Sequence, residues 1–263
     1  MKKEDIARYE QFAKEKLGLE FSDIWLLITA LTHRSYVNEH RRFEIEHNER
    51  LEFLGDAVLE LVVSDFLYRT YDQPEGVMTA WRSALVRTEA NSASGEALGY
   101  GPLVRLSHGE AHNTARAHAV IMADCFEAVI GAIYLDKGYD AAKDFIYTHV
   151  ISKMDEILST GSWRDPKSYF QELVQHISGD VPTYRTIKEE GPDHDKMFTI
   201  GAYVGKECYG TATDHSKQGA QGLAAREGIA RILKEHPELA PELPARRAAN
   251  ASPAKAERTA AAN

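Results

Sequence analysis

Only two cysteines occur in the 263 residues, Cys125 and Cys208. One lies in an apolar helical run and the other in a strand-like run, so the pattern predicts buried free thiols rather than a disulfide framework. No run approaches the roughly 20 consecutive apolar residues that a membrane span needs. The opening Met1-Lys2-Lys3-Glu4-Asp5 leads into mixed polar sequence without the apolar core of a signal peptide. A cytoplasmic protein with no membrane partner is the expectation. Positive charge is also short: 31 Lys and Arg stand against 40 Asp and Glu, a net of −9. That balance weighs against a nucleic-acid binder, because phosphate neutralisation supplies most non-specific affinity. Carboxylates gathered to hold metal would lower the total without removing basic patches elsewhere, so the sum alone excludes little. What is present is the composition of an ordinary globular protein, 43% hydrophobic and 27% charged. The length suits one large domain or a medium domain plus a small one, and two domains is the expectation.

Residues 2–158 read as all-α. Apolar residues recur at spacings of three and four, and Gln73-Pro74-Glu75-Gly76, Gly99-Tyr100-Gly101-Pro102 and Lys137-Gly138 break the pattern between periodic segments. The short polar stretch 159–165 marks a linker. Beyond it, residues 166–235 read as a small α+β unit of order α-β-β-β-α. Its first helix is opened by Asp165 as N-cap with Pro166 at the first helical position. Thr183 to Glu189, Met197 to Val204 and Glu207 to Thr213 carry Tyr, Ile, Val, Phe and Thr at strand density, and a last helix runs from Lys217 to Leu233. Residues 236–263 hold Ala, Pro, Glu and Arg without an apolar period and are expected to be disordered.

The chemistry concentrates in Asn48-Glu49-Arg50-Leu51-Glu52-Phe53-Leu54-Gly55-Asp56 and its continuation to Val63. At about 100° per residue, Glu49, Glu52 and Asp56 fall on one face of a helix. Leu51, Phe53, Leu54, Val58, Leu59, Leu61 and Val62 take the rest of the circumference, the pattern of a largely buried helix. A second run, Ala119 to Ile130, is apolar apart from Asp124 and Glu127. A single acid on a helix is ordinarily a solvated face or an arginine partner, and Arg50 and Arg34 could serve. Five acids on two apolar helices are harder to explain so, because crowded carboxylates that lose hydration cost several kcal/mol unless a cation compensates. With no His or Cys ligand set in either motif, these hard oxygens favour Mg²⁺, with Mn²⁺ as a substitute, over Zn²⁺.

At these residues the chain resembles the bacterial ribonuclease III family. Asn48 to Asp56 is similar to the family's signature. The likeness continues through Leu31-Thr32-His33-Arg34-Ser35-Tyr36, Pro74-Glu75-Gly76, Ala84-Leu85-Val86 and Ala123 to Ala128. The resemblance implies that Glu52, Asp124 and Glu127 are Mg²⁺ ligands and that Asp56 and Glu127 are catalytic. It makes Glu49 and Glu75 accessory acids, and Phe53 an aromatic knob entering a socket on the partner of a homodimer. It further implies hydrolysis of double-stranded RNA to staggered ends with 5′-phosphate and 3′-hydroxyl, in the processing of ribosomal, messenger and transfer RNA precursors. A non-cleaving protein that sequesters duplexes, or a metal-dependent hydrolase of small phosphorylated substrates, are the competing readings. Cleavage of a perfect duplex only by wild type with metal, and not by Glu127→Ala, separates all three.

The segment 166–235 resembles a double-stranded-RNA-binding domain. The resemblance points to Lys167, Gln171 and Glu172 on the first helix, Gly191-Pro192-Asp193-His194 in the first loop, and Ser216-Lys217 at the last helix as RNA contacts. Such domains read A-form shape and 2′-hydroxyls rather than sequence. Here Gln218 and Gln221 stand where basic or acidic residues are common, and between Arg164 and Glu235 ten Lys and Arg face eleven Asp and Glu. In the helical half Ala80 replaces a commonly basic position, leaving Arg82, Arg87 and Arg116 for phosphate. A shallow dependence of duplex affinity on salt is therefore expected, measured by titration at several salt concentrations.

Overall fold

A computed structural model describes residues 3–40, 46–192 and 196–247. By its internal contacts the chain divides into two compact units, residues 1–154 with 245–263, and residues 155–244.

The first unit is helical. Its order is α1 (Lys3–Phe12, continued by a π-helical turn Ala13–Leu17), α2 (Ile24–Ala30), α3 (Arg34–Glu39), α4 (Glu49–Thr70), α5 (Glu75–Val86), α6 (Thr88–Leu98), α7 (Ala115–Lys137) and α8 (Tyr139–His149). Helix α9 (Met154–Thr160) follows at the division between the units. The organising element is α7, which packs against α2, α4, α6 and α8. By length and composition α7 is apolar enough to cross a membrane, closer to a span than the sequence reading allowed. Its Cys125, Phe126, Ala128, Val129, Ile130, Ala132 and Ile133 are instead wholly buried in the fold. A helix apolar nearly all round is the centre of a core.

A short backbone clasp fixes the approach to α4. Arg105 N–H donates to the Leu31 carbonyl (2.8 Å), His33 N–H to that of Arg105 (3.0 Å), and Asn48 N–H to that of Thr32 (2.9 Å). The turn that begins α3 is thereby held beside the turn that begins α4.

The second unit matches the expected α-β-β-β-α order. Helix α10 (Pro166–Ser178) is followed by β1 (Thr183–Glu190), β2 (Met197–Val204), β3 (Glu207–Asp214) and α11 (Lys217–Glu235). The strands form an antiparallel sheet in the order β1-β2-β3. Its register pairs Thr183 with Tyr203 and Glu189 with Phe198 on one side, and Phe198 with Asp214 on the other. Phe170, Val174, Ala202, Ala224, Ala225 and Ile232 make the core between sheet and helices. Asp165 caps α10 by accepting from Ser168 N–H (2.9 Å), and Ser216 caps α11 by accepting from Gly219 N–H (3.0 Å). The unit is tight at two glycines. A Cβ on Gly210 would lie 2.3 Å from the Ala224 carbonyl oxygen, and one on Gly228 would lie 2.6 Å from the Phe170 ring.

The tail differs from expectation as far as it is described. A 3₁₀ turn forms at Pro237–Leu239, and Arg247 closes the C-terminal end of α4. Its N–H donates to the Thr70 carbonyl (2.6 Å) and its guanidinium to the Tyr68 carbonyl (3.4 Å) and to the Asp72 carboxylate. The last carbonyls of a helix lack partners within it and carry its negative dipole end, so a cation there is stabilising. Residues 248–263 lie outside the described residues. Arg247→Ala is expected to destabilise the first unit by about 0.5–1 kcal/mol, read as a small fall in its thermal midpoint.

Candidate active site

Two glycines set the distance between the acid-bearing helices. A Cβ on Gly55 would sit 1.7 Å from the carbonyl oxygen of Glu127, and one on Gly131 would sit 2.3 Å from that of Leu51. Helices α4 and α7 therefore touch backbone to backbone where no other residue type fits. Gly55 lies between Glu52 and Asp56, and its contact on α7 is Glu127 itself. The crossing thus sets Glu52 and Asp56 of α4 beside Asp124 and Glu127 of α7.

The acids feel one another. Burial raises the pKa of Glu52, and Asp124, Glu49 and Asp56 raise it further. Asp124 is raised by burial and then by Glu49, and Asp56 by burial and then by Glu60. Glu127 is pushed up to about 7. Burial is the main cause; a hydrogen bond from Asn91 opposes it, and Asp56, Glu52 and Asp124 add repulsion. Glu49, Glu52 and Asp124 line one open hollow with His33, Arg34 and Asn48.

These side chains are not drawn into a closed cage. Among the described residues no three His, Cys, Asp or Glu are grouped to hold one ion. The partners of the outer acids give a physical reason. Arg34 Nη1 donates to Glu49 (3.2 Å), with His47 3.8 Å from the other oxygen. Asn91 Nδ2 donates to Glu127 Oε1 (2.8 Å) and to the Val86 carbonyl (3.0 Å). Glu49 and Glu127 are thus each held by a donor of their own, Arg34 and Asn91, rather than turned toward a common point. The donor set still suits a hard divalent cation: it is all oxygen, partly buried and short of compensating positive charge.

The remaining expected site residues lie elsewhere. Glu75 begins α5 and accepts from Thr79 Oγ1 (2.8 Å). It faces a different hollow, with Leu61, Ser64, Tyr68, Met78 and Arg82, and is not brought to the acids. Phe53 is 81% exposed, with Leu61 at 57% and Tyr68 at 54%. Helix α4, read from its composition as largely buried, buries Leu51, Val58, Leu59, Val62, Val63, Phe66 and Leu67 but also carries an exposed apolar side. In the second unit Lys167 donates to Gln221 Oε1 (2.8 Å), and Gln171, Glu172, Pro192, Ser216 and Lys217 are exposed. Asp193 and His194 lie outside the described residues.

Sequence reasoning missed Gly55, Gly131 and Asn91. A glycine inside each apolar helix was the available signal, since it costs about 0.5–1 kcal/mol and implies a reason to be there. Asn91 gave none, lying among Ala, Ser and Gly on α6.

Gly55→Ala is expected to cost about 3 kcal/mol or more by overpacking, and to lower cleavage roughly 100-fold by displacing the acids; denaturant unfolding and turnover measure the two. A second expectation concerns Glu127. Its folded-state pKa lies above that of the unfolded chain, so ionisation opposes folding above about pH 7 and this cost disappears as pH falls toward 4.5. In metal-free protein Glu127→Gln should therefore stabilise by about 1–2 kcal/mol at pH 8, after allowance for solvent screening. The advantage over wild type should shrink by pH 5.5; an equal thermal midpoint for both at pH 8 would contradict it.

Comparison with known proteins accords with both units. A ribonuclease-III-like family model matches residues 23–154, and a double-stranded RNA binding motif matches residues 166–232. Ribonuclease 3 of Oceanobacillus iheyensis is 43% identical over 220 residues, 82% of this chain and 95% of that one. Ribonuclease 3 of Desulforamulus reducens is 40% identical over 217 residues, 82% of this chain and 88% of that one. The nuclease domain of ribonuclease III from Campylobacter jejuni is 35% identical, covering 54% of this chain and 96% of that one, at a TM-score of 0.49. With its acids on two crossed apolar helices and an α-β-β-β-α unit later in the sequence, the chain belongs to the ribonuclease III family.

Proposed function

We propose that this chain, a double-stranded-RNA-specific endoribonuclease by family, acts as a cytoplasmic homodimer that hydrolyses phosphodiesters with Mg²⁺, for which Mn²⁺ can substitute. The products are staggered ends with 5′-phosphate and 3′-hydroxyl, and the substrates are precursors of ribosomal, messenger and transfer RNA. Residues 2–158 form the nuclease domain, 159–165 the linker and 166–235 the RNA-binding domain. The observation that carries the reading is the contact of α4 with α7 at Gly55 and Gly131, which crowds Glu52, Asp56, Asp124 and Glu127.

Glu52, Asp124 and Glu127 would hold the metal. When bound it lowers the pKa of a water and neutralises charge on the scissile phosphate. The chain's own groups do the rest. Asn91 fixes one oxygen of Glu127, so that carboxylate is oriented before substrate arrives. Asp56, one turn beyond Glu52, orients water or ligand; Glu49, restrained by Arg34, adjusts the negative field at the entrance. Glu75 acts at its own hollow, away from these four. Lys167, Gln171, Glu172, Pro192, His194, Ser216 and Lys217 meet the duplex; the N-terminus of α11 offers backbone N–H groups and dipole to phosphate.

Exposure of Phe53 together with Leu61 and Tyr68 on α4 supports the dimer, since a patch of exposed apolar side chains marks an interaction surface. A hollow of about 500 Å³ lies in the same unit, with Trp25, Leu26, Ile28, Leu51, Leu54 and Leu135 on its walls and Asp23, Thr29, Glu46, His47, Arg50 and Arg105 around them; its apolar part could receive a partner's phenylalanine.

Incubation of a perfect duplex should give cleavage only with wild type and Mg²⁺, while Glu127→Ala binds without cutting. Cleavage in the presence of a chelator would overturn the metal-dependent reading. Phe53→Ala should weaken the dimer by roughly 2 kcal/mol or more, seen as dissociation in sedimentation at low micromolar protein.

A further inference from the structure

Lys217, proposed above as an RNA contact, already holds a counter-charge. Glu189, near the end of β1, spends one carboxylate oxygen on it and the other on the neighbouring Lys196. Its Oε1 lies 2.7 Å from Lys217 Nζ, and its Oε2 lies 3.8 Å from Lys196 Nζ. The geometry is fixed by the sheet. Register pairs Glu189 directly with Phe198, and the Lys217 ammonium rests 5.1 Å above the Phe198 ring. The ammonium is thus seated between an aromatic face and a carboxylate, both presented by the same cross-strand pair. Lys217 opens α11, beside the Ser216 cap, and its side chain is 54% exposed. The pairing keeps Glu189 ionised, its pKa lowered by the Lys217 hydrogen bond first.

Two consequences follow for a phosphate approaching Lys217. It must share or displace a carboxylate already in place, and it meets that carboxylate's like charge a few ångströms away. A lysine that already holds a counter-charge also releases less condensed cation when it binds RNA, which flattens the salt dependence. We propose that Glu189 is an affinity-limiting residue, an internal competitor for phosphate at Lys217 and Lys196 that restrains how tightly the domain holds duplex RNA. The proposal rests on the reading of Lys217 as an RNA contact. A tightly held substrate is not what a cleaving enzyme needs, since binding shared equally by substrate and transition state does not raise turnover.

The test uses the full chain in chelator, so that binding is read without cleavage, and a perfect RNA duplex of about 20 base pairs, just over the span of one such domain. Glu189→Gln keeps size and strand position while removing the charge. It should tighten binding about three- to tenfold at low salt, the scale of an exposed pair plus a near like charge. It should also steepen the slope of affinity against salt by up to about one, as Lys217 becomes free to neutralise a phosphate and release the cation condensed there. A merely structural role would not steepen that slope. In the Lys217→Ala background the gain from Glu189→Gln should fall, leaving the part owed to Lys196. Unchanged or weaker binding by Glu189→Gln, with unaltered circular dichroism, sinks the proposal while leaving the RNA contact intact. If Lys217→Ala itself leaves wild-type affinity and slope unmoved, the underlying contact is wrong and the proposal goes with it.

Discussion

The placement of the acids depends on two helices meeting with no side chain between them. At Gly55 and Gly131 the backbones of α4 and α7 come so close that an added methyl would penetrate the opposing carbonyl. Each glycine weakens its own helix by about 0.5–1 kcal/mol relative to alanine. The rest of α7 offsets this by burial, with Phe126, Val129, Ile130 and Ile133 wholly enclosed. The apolar character of α7 is thus tied to the site. Only a helix anchored on most of its circumference can hold Asp124 and Glu127 against the repulsion of α4.

That repulsion connects stability to function. Glu127 raised to about 7, with Glu52, Asp56 and Asp124 also raised, describes a folded state that tolerates more negative charge than its solvation favours. Asn91 and Arg34 lessen the strain at the two ends of the group by donating to Glu127 and Glu49. A divalent cation would lessen it at the centre, and any ligand that binds only the folded state adds its binding energy to stability. The same crowding that makes the metal-free site costly would therefore make an ion's affinity high.

Much of this was legible in the sequence. Acids on otherwise apolar helices stand out because burial of charge is rare, so Glu52, Asp56, Asp124 and Glu127 were candidates by pattern, their separate roles coming only from the family resemblance. Asp165 and Ser216 cap α10 and α11; the cap at Asp165 could be read because capping is local. The strands were legible to within one residue for the same reason, from their β-branched and aromatic density. What could not be read depends on contacts between distant segments. Whether Phe53 faces core or solvent is decided by which neighbours α4 has, and Glu75 and Asp56 are parted by the path of α5, not by their spacing. Arg247 closes α4 across 175 residues to Asp72, and no pattern in an alanine- and proline-rich tail announces that.

The charge balance that seemed to argue against nucleic acid takes a different meaning once the pairs are located. In the first unit five acids, Glu49, Glu52, Asp56, Asp124 and Glu127, lie on two crossed helices, where burial and then their repulsion raise the pKa of Glu52, Asp124 and Glu127. In the second Glu189 meets Lys217 and Lys196 directly. On the reading proposed above, a domain whose lysines already hold counter-charges gives up duplex more readily, and the net of −9 becomes compatible with a nuclease that must let go as well as hold.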